Sequence, residues 1–245
     1  MYLEPEPFAA LVAPAIDRLV AGTMAAGRAA GGAEISQRYG GPDATGFLVE
    51  FRTRLAGPGG AVTPAGFAAV TRYRERAACL RVLDKQVAHG MIRRGPEGWV
   101  QATERGHAFL TEIYAMHATL TAGLWSGAEA RIARLAETLG RLLAAAEHTA
   151  GEAFAAMAPP YEPDGTPPGV LLLNRLGTLR YHRADAHAAA WRAAGHTARS
   201  ITDLGPGPER AAIEADTNRR AAPPYAQLST EERLHLLADL AALPN

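Results

Sequence analysis

One cysteine, one lysine and no net charge set the first limits on this chain. Cys79 stands alone, so no internal disulfide can form, and a cysteine-based metal site would need a partner chain. Lys85 is the only lysine, and arginine carries nearly all the positive charge. The 245 residues balance to a formal charge of zero, which argues against a surface that is basic all over. Uninterrupted apolar runs are short, none approaching the roughly 20 residues of a membrane helix, so no membrane partner is expected. The opening MYLEPEPFAALVAP carries glutamates where a secretion signal carries basic residues, and a cytoplasmic protein is expected. Phosphate loop, dinucleotide fingerprint, serine-nucleophile elbow and HExxH motif are all missing, and no cofactor is expected.

What is present is apolar and helical in pattern. Hydrophobic residues make up 48% of the chain, ample for a folded interior. Phe8, Leu11, Val12, Ile16, Leu19, Val20 and Met24 recur at helical spacing. Two stretches rich in glycine and proline, GGAEISQRYGGPDATG and AGPGGAVTPAG, interrupt the chain around the short amphipathic FLVEFRTRLA. From Thr63 a new order begins. Thr63 before Pro64 is a helix N-cap with proline in the first turn, opening a short helix over PAGFAAVT. A longer helix, RERAACLRVLDKQVAHG, offers Ala78, Leu80, Val82, Leu83 and Val87 for burial and closes at Gly90. MIRR, the turn GPEG and WVQAT read as a hairpin, and Thr103 caps the next helix.

Helix, helix, hairpin, helix is the winged-helix order. Between Thr71 and Gly106 eight basic residues face four acidic ones, so this stretch is net positive. Arg72, Arg74, Arg76, Arg81 and Lys85 lie on or before the second helix, with Arg93 and Arg94 on the hairpin. These are the parts that would meet groove edges and phosphates of double-stranded DNA. Leu80, Leu83, Gly90, Met91, Ile92, Arg94, Gly98, Val100, Thr103 and Gly106 follow a pattern that resembles the winged helix of MarR-like regulators. The same fold serving only as a scaffold or dimer surface is the alternative reading.

Downstream, LWSGAEARIARLAETLGRLLAAAEHTAGEAFAAMA predicts a long amphipathic helix with Leu135, Leu139, Leu142 and Leu143 inward and a break near Gly151. PPYEPDGTPPG ends it. The following helix carries LRYHRADAHAAAWRAAG, and the last helix is capped at Ser229 or Thr230 with Glu232 placed for a capping box. The last 80 or so residues resemble an actinobacterial helix-turn-helix or winged-helix family of unclear function. The resemblance rests on LRYHRADAHAAAWRAAG, beside the family form LREHRGDGHVAALLAAG, and on IEADTNRRAAPPYAQLSTEERLHLLADL near the end. His182, Arg183, Asp185 and His187 match the motif, whereas Ala184 and Ala186 replace family glycines. The family's winged helix follows this motif; here the winged-helix signal precedes it. The resemblance implies a ligand-linked winged-helix protein and no particular reaction.

On a helix, residues three apart lie about 60° from each other and residues five apart about 140°. His182 and Asp185 therefore share a face that His187 does not, and a single metal cannot take all three from one straight helix. No metal site is expected. Two readings of the motif remain. His182 and Asp185 bond each other and pin the helix to a neighbour, or they line a pocket in which Arg180 or Arg183 receives an anionic group and His187 completes the lining.

The sequence thus predicts a mainly α protein, a helical bundle with one winged helix-turn-helix. Its parts are an N-terminal helical segment (1–62), the winged helix (63–120) and a helical ligand-binding or dimerisation module (121–245). The function expected is a homodimeric, ligand-responsive DNA-binding regulator. A small-molecule-binding protein or enzyme of secondary metabolism, with the winged fold as scaffold, is the competing class.

Overall fold

In a computed structural model, residues 3–244 are described; the first two residues of the acidic N-terminal stretch, and Asn245, lie outside them. Helix α1 (Pro5–Gly27) runs through one π-turn (Arg28–Gly32), kinked at Gly31, into α2 (Ala33–Arg38). Then come α3 (Pro42–Glu50), α4 (Arg52–Leu55), strand β1 (Ala61–Val62), α5 (Pro64–Val70) and α6 (Arg76–Ala88). Strands β2 (Ile92–Arg94) and β3 (Val100–Ala102) precede α7 (Glu104–Leu124) and α8 (Glu129–Ala146). The rest is α9 (Glu152–Ala155), α10 (Pro168–Ala193), α11 (Ala198–Asp203), α12 (Pro208–Ala221) and α13 (Thr230–Ala241). The chain is mainly helical with one small antiparallel sheet in the order β1-β3-β2.

The caps read from the sequence close where expected. Thr63 Oγ1 accepts from the Gly66 amide at 3.0 Å and Thr103 Oγ1 from that of Gly106 at 3.1 Å. Ser229 and Glu232 complete a reciprocal capping box on α13. Gly90 takes a positive φ of 68°, and the Met91 amide reaches back to the Gln86 carbonyl, which ends α6. The long helix expected from Leu124 onward is shortened at its start, because the chain breaks after Leu124 ahead of α8, as well as near Gly151 after it.

Two large apolar clusters and a small one (Ala188, Ala190, Trp191, Ile201 and Ile213) organise the described residues. The larger gathers Phe8, Val12 and Leu19 of α1 with Trp125, with Leu135, Leu139 and Leu142 of α8, with Leu172, Leu173 and Leu176 of α10, and with Leu236 and Leu240 of α13. The second joins Phe47, Leu48 and Phe51 to Val62, Phe67, Cys79, Leu83, Ile92, Val100, Phe109 and Ile113. This cluster runs through position 62, because α3 and β1 supply part of its interior. The stretch Pro5–Arg38 would suffice by length and composition to cross a membrane, contrary to the expectation drawn from uninterrupted apolar runs. In this fold α1 buries Phe8, Val12, Ile16, Leu19 and Val20 in the bundle.

Burial on α6 also differs from expectation. Cys79, Leu83 and Gln86 face inward, whereas Leu80 and Val87 are 40% and 38% exposed. Residues at i, i+4 and i+7 share one helical face, and Leu80 and Val87 fall beside it.

Buried polar side chains come from the same elements: Thr23 on α1, Arg52 on α4, His117 and Thr121 on α7, and Asn174 and Thr178 on α10. Burial there, with the Arg52 charge beside it, pushes the His117 imidazole down to about 3. The folded state therefore holds this ring neutral, while the unfolded chain takes up a proton near pH 6.5. Stability from this source is complete above pH 6.5 and falls by about 1.4 kcal/mol per pH unit from there toward pH 3. Urea denaturation at pH 7 and pH 5 should show a loss about 2 kcal/mol larger in the wild type than in His117→Phe. Equal losses in the two proteins would contradict the neutral, buried assignment.

Candidate functional site

Helix α10 carries the HRADAH segment without a break, so its side chains point in the directions that helical geometry dictates. His182 is 3% exposed and shares its Nε2 with Thr149 Oγ1 at 2.8 Å. The Phe154 ring meets it edge-on at 5.9 Å. Burial holds the imidazole below its ordinary range, against the opposing pull of the nearby Asp185 carboxylate.

Asp185 shares that face, yet its bonds go to other partners than His182. Its Oδ2 accepts from the Phe154 amide at 2.9 Å and its Oδ1 from the Ala153 amide at 3.3 Å. Those are first-turn amides of α9, a helix that starts at Gly151 with no side-chain cap of its own. A carboxylate is well suited there, because the first amides of a helix lack internal acceptors. Gly151 leaves the necessary room: a Cβ at that position would lie 2.6 Å from Asp185 Cγ.

The third donor to Asp185 corrects an expectation. Arg72, placed among the DNA-contacting residues by sequence, is buried: Nη2 meets Asp185 Oδ1 at 2.5 Å, and Nη1 donates to the Ala184 carbonyl at 3.2 Å. Its side chain is 7% exposed, so it cannot reach a phosphate without leaving that carboxylate uncompensated. Arg72 lies in the turn between α5 and α6, and the same turn is held twice more. The Trp191 indole donates to Tyr73 Oη at 3.1 Å, and Arg74 donates to Glu50 at 2.8 Å. The reading in which His182 and Asp185 bond each other is thus replaced by one in which each holds a different piece of chain.

The opposite side of α10 opens into a cleft of about 530 Å³. Arg180, Arg183 and His187 line it from α10, Glu214 and Thr217 from α12, Asp17 from α1, and Glu50 and Tyr73 from the α3–α6 side. Arg180 pairs with Asp17 at 2.6 Å. Arg183 donates to Asn218 at 2.8 Å and lies 3.4 Å from Glu214. His187 Nδ1 shares a hydrogen bond with Thr217 Oγ1 at 3.2 Å, and burial lowers its pKa against the attraction of Glu214. Of the five residues expected to line a ligand site, the cleft brings together Arg180, Arg183 and His187. Asp185 opens on a separate cleft of about 720 Å³ with Arg72 and Arg192, and His182 lines neither. Among the described residues no group of three histidine, cysteine or acidic side chains is placed to hold a metal ion.

On α6 and the hairpin, the remaining basic residues are exposed and largely paired. Arg81 sits 3.6 Å from Glu75, Lys85 2.6 Å from Asp43 and Arg94 2.8 Å from Asp84. Arg93 stacks on Trp99 and donates to Gln101, and Arg76 is exposed with no acidic partner among the described residues. Sequence reasoning missed Thr149, Gly151 and the Arg72–Asp185 link. The one available signal was a helix start at Gly151 with no serine, threonine or aspartate to cap it. The chain matches no protein-family model, and no curated protein and no solved structure matches it either.

Proposed function

We propose that the protein is a ligand-responsive, winged-helix DNA-binding regulator that acts as a homodimer. The observation that carries this reading is the exposed surface of α6. Arg76, Leu80 and Val87 are exposed on one side of that helix and Arg81 and Lys85 on another, and the β2–β3 hairpin follows it. Cations that reach phosphates or guanine edges, next to aliphatic groups that pack on thymine methyls, suit a duplex groove. The order helix, strand, helix, helix, strand, strand with β3 central is the arrangement a winged helix uses, which supports the MarR-like resemblance. The effector would occupy the cleft at His187 and Arg183, where Tyr73 brings the α5–α6 turn into contact with the same space.

A second reading has its own support. Five of the seven expected DNA contacts (Arg72, Arg74, Arg81, Lys85 and Arg94) are paired with carboxylates, which favours a small-molecule protein or enzyme using this fold as scaffold. Titrating labelled genomic duplex fragments at several salt concentrations decides between them. The regulator reading expects affinity that falls steeply with salt. Arg76→Ala with Arg93→Ala should weaken binding to all sequences and flatten the salt slope by about two. No duplex affinity at low salt would remove the regulator and leave the scaffold reading.

A further inference from the structure

Arg52 is a buried cation without a carboxylate partner among the described residues. It is 6% exposed, and its guanidinium donates once, from Nη1 to the Val49 carbonyl at 3.3 Å. Its Nε has no partner, and neither does the hydroxyl of its neighbour Thr53, which is 2% exposed. Both residues line one cavity of about 230 Å³ between α1, α3–α4 and α10. A guanidinium stays protonated at any ordinary pH, so burial leaves it seeking an anion. The nearest acid is committed elsewhere: Glu50 takes the Tyr181 hydroxyl on one oxygen and Arg74 on the other. Arg180, the other cation on the cavity wall, is paired with Asp17.

Beside Glu50, Arg180 and Tyr181, whose polar groups are paired, the rest of the lining is apolar or open. Val20, Met24, Val49 and Met157 form walls, and Gly46 and Gly177 leave space where side chains would stand. Of the polar residues in the lining, Arg52 and Thr53 are the ones with an unpartnered atom, Nε and Oγ1. Glu50, Arg180 and Tyr181 also line the larger cleft, so the Glu50–Tyr181 bond stands as the partition between the two spaces.

We propose that this cavity binds a small carboxylate, its oxygens on Arg52 and Thr53 and a short apolar body against Val20, Met24, Val49 and Met157. The site is independent of duplex binding, and its test reads ligand binding alone. The full chain is melted in sodium butyrate, in sodium chloride of equal ionic strength, and in butyramide. Butyrate should raise the Tm with the logarithm of its concentration, by about 5 °C or more once it exceeds its Kd a hundredfold; chloride and butyramide should not. Arg52→Met removes the charge at similar length and should abolish the butyrate shift. Gly177→Leu tests the same space without touching the charge. A Cβ there meets only Arg52 Nη2, at 3.8 Å, and a helix-interior glycine is removed, so the fold should hold while the shift disappears. No butyrate shift in the wild type, an equal shift with butyramide, or a shift that persists in Gly177→Leu would overturn the proposal. A shift produced by inorganic phosphate and not by butyrate would overturn the choice of a carboxylate.

Discussion

Asp185→Ala is expected to lower the unfolding free energy by about 3–5 kcal/mol, because it strands the buried Arg72 guanidinium. Two first-turn amides of α9 lose their acceptor in the same step. At this chain length the Tm should fall by on the order of 10 °C. Asp185→Asn should cost less, about 1–3 kcal/mol, since a carbonyl oxygen remains for the Phe154 amide while the charge is lost. A melting curve for Asp185→Ala that overlays the wild type would show that the carboxylate is solvated and does not hold the α5–α6 turn to the bundle.

Gly106→Ala should destabilise by about 2 kcal/mol, against the usual gain when a helical glycine becomes alanine. Gly106 lies in the first turn of α7, close against the Met91 carbonyl between α6 and β2. A Cβ there would stand 2.2 Å from the Met91 carbonyl oxygen and 3.2 Å from the Ala102 Cβ. The Met91 carbonyl cannot yield easily, since it also accepts from the Thr103 amide at 3.1 Å. Gly123, on the same helix, is the control. Nothing stands within 4 Å of its added Cβ, so Gly123→Ala should stabilise by up to about 1 kcal/mol. Urea midpoints for the two variants should move in opposite directions; the same direction for both would contradict the close approach at Gly106.

Local chemistry was the legible part of this chain. Thr63 with Pro64, Thr103 three residues before Gly106, and Ser229 with Glu232 each announce a helix start through side-chain acceptors that lie within one turn. Gly90 and the hairpin around Gly95–Gly98 were readable for the same reason. Strand β1 was not, because two residues after a glycine-rich run carry no alternation; Ala61 and Val62 become a strand only by pairing with Gln101 and Val100. Hydrophobicity alone offers Leu80 and Val87 to the interior, and it cannot say which side of α6 meets the core. At the candidate site, helical angles correctly separated His182 from His187. They could not name the partners, because Arg72 lies 113 residues from Asp185 and Thr149 lies 33 from His182. Pairing across such distances is decided by packing of α5, α9 and α10, and no short-range pattern encodes it.

The central claim is that Asp185 on α10 and Arg72 in the α5–α6 turn act as one unit, joining the bundle to the segment proposed to read DNA. A double-mutant cycle on Arg72→Ala and Asp185→Ala, followed by urea denaturation, measures that directly. The account predicts strong non-additivity: each single change is costly, and the second adds little, with a coupling energy of about 2 kcal/mol or more. Two single effects that sum to the double within about 0.5 kcal/mol would contradict it.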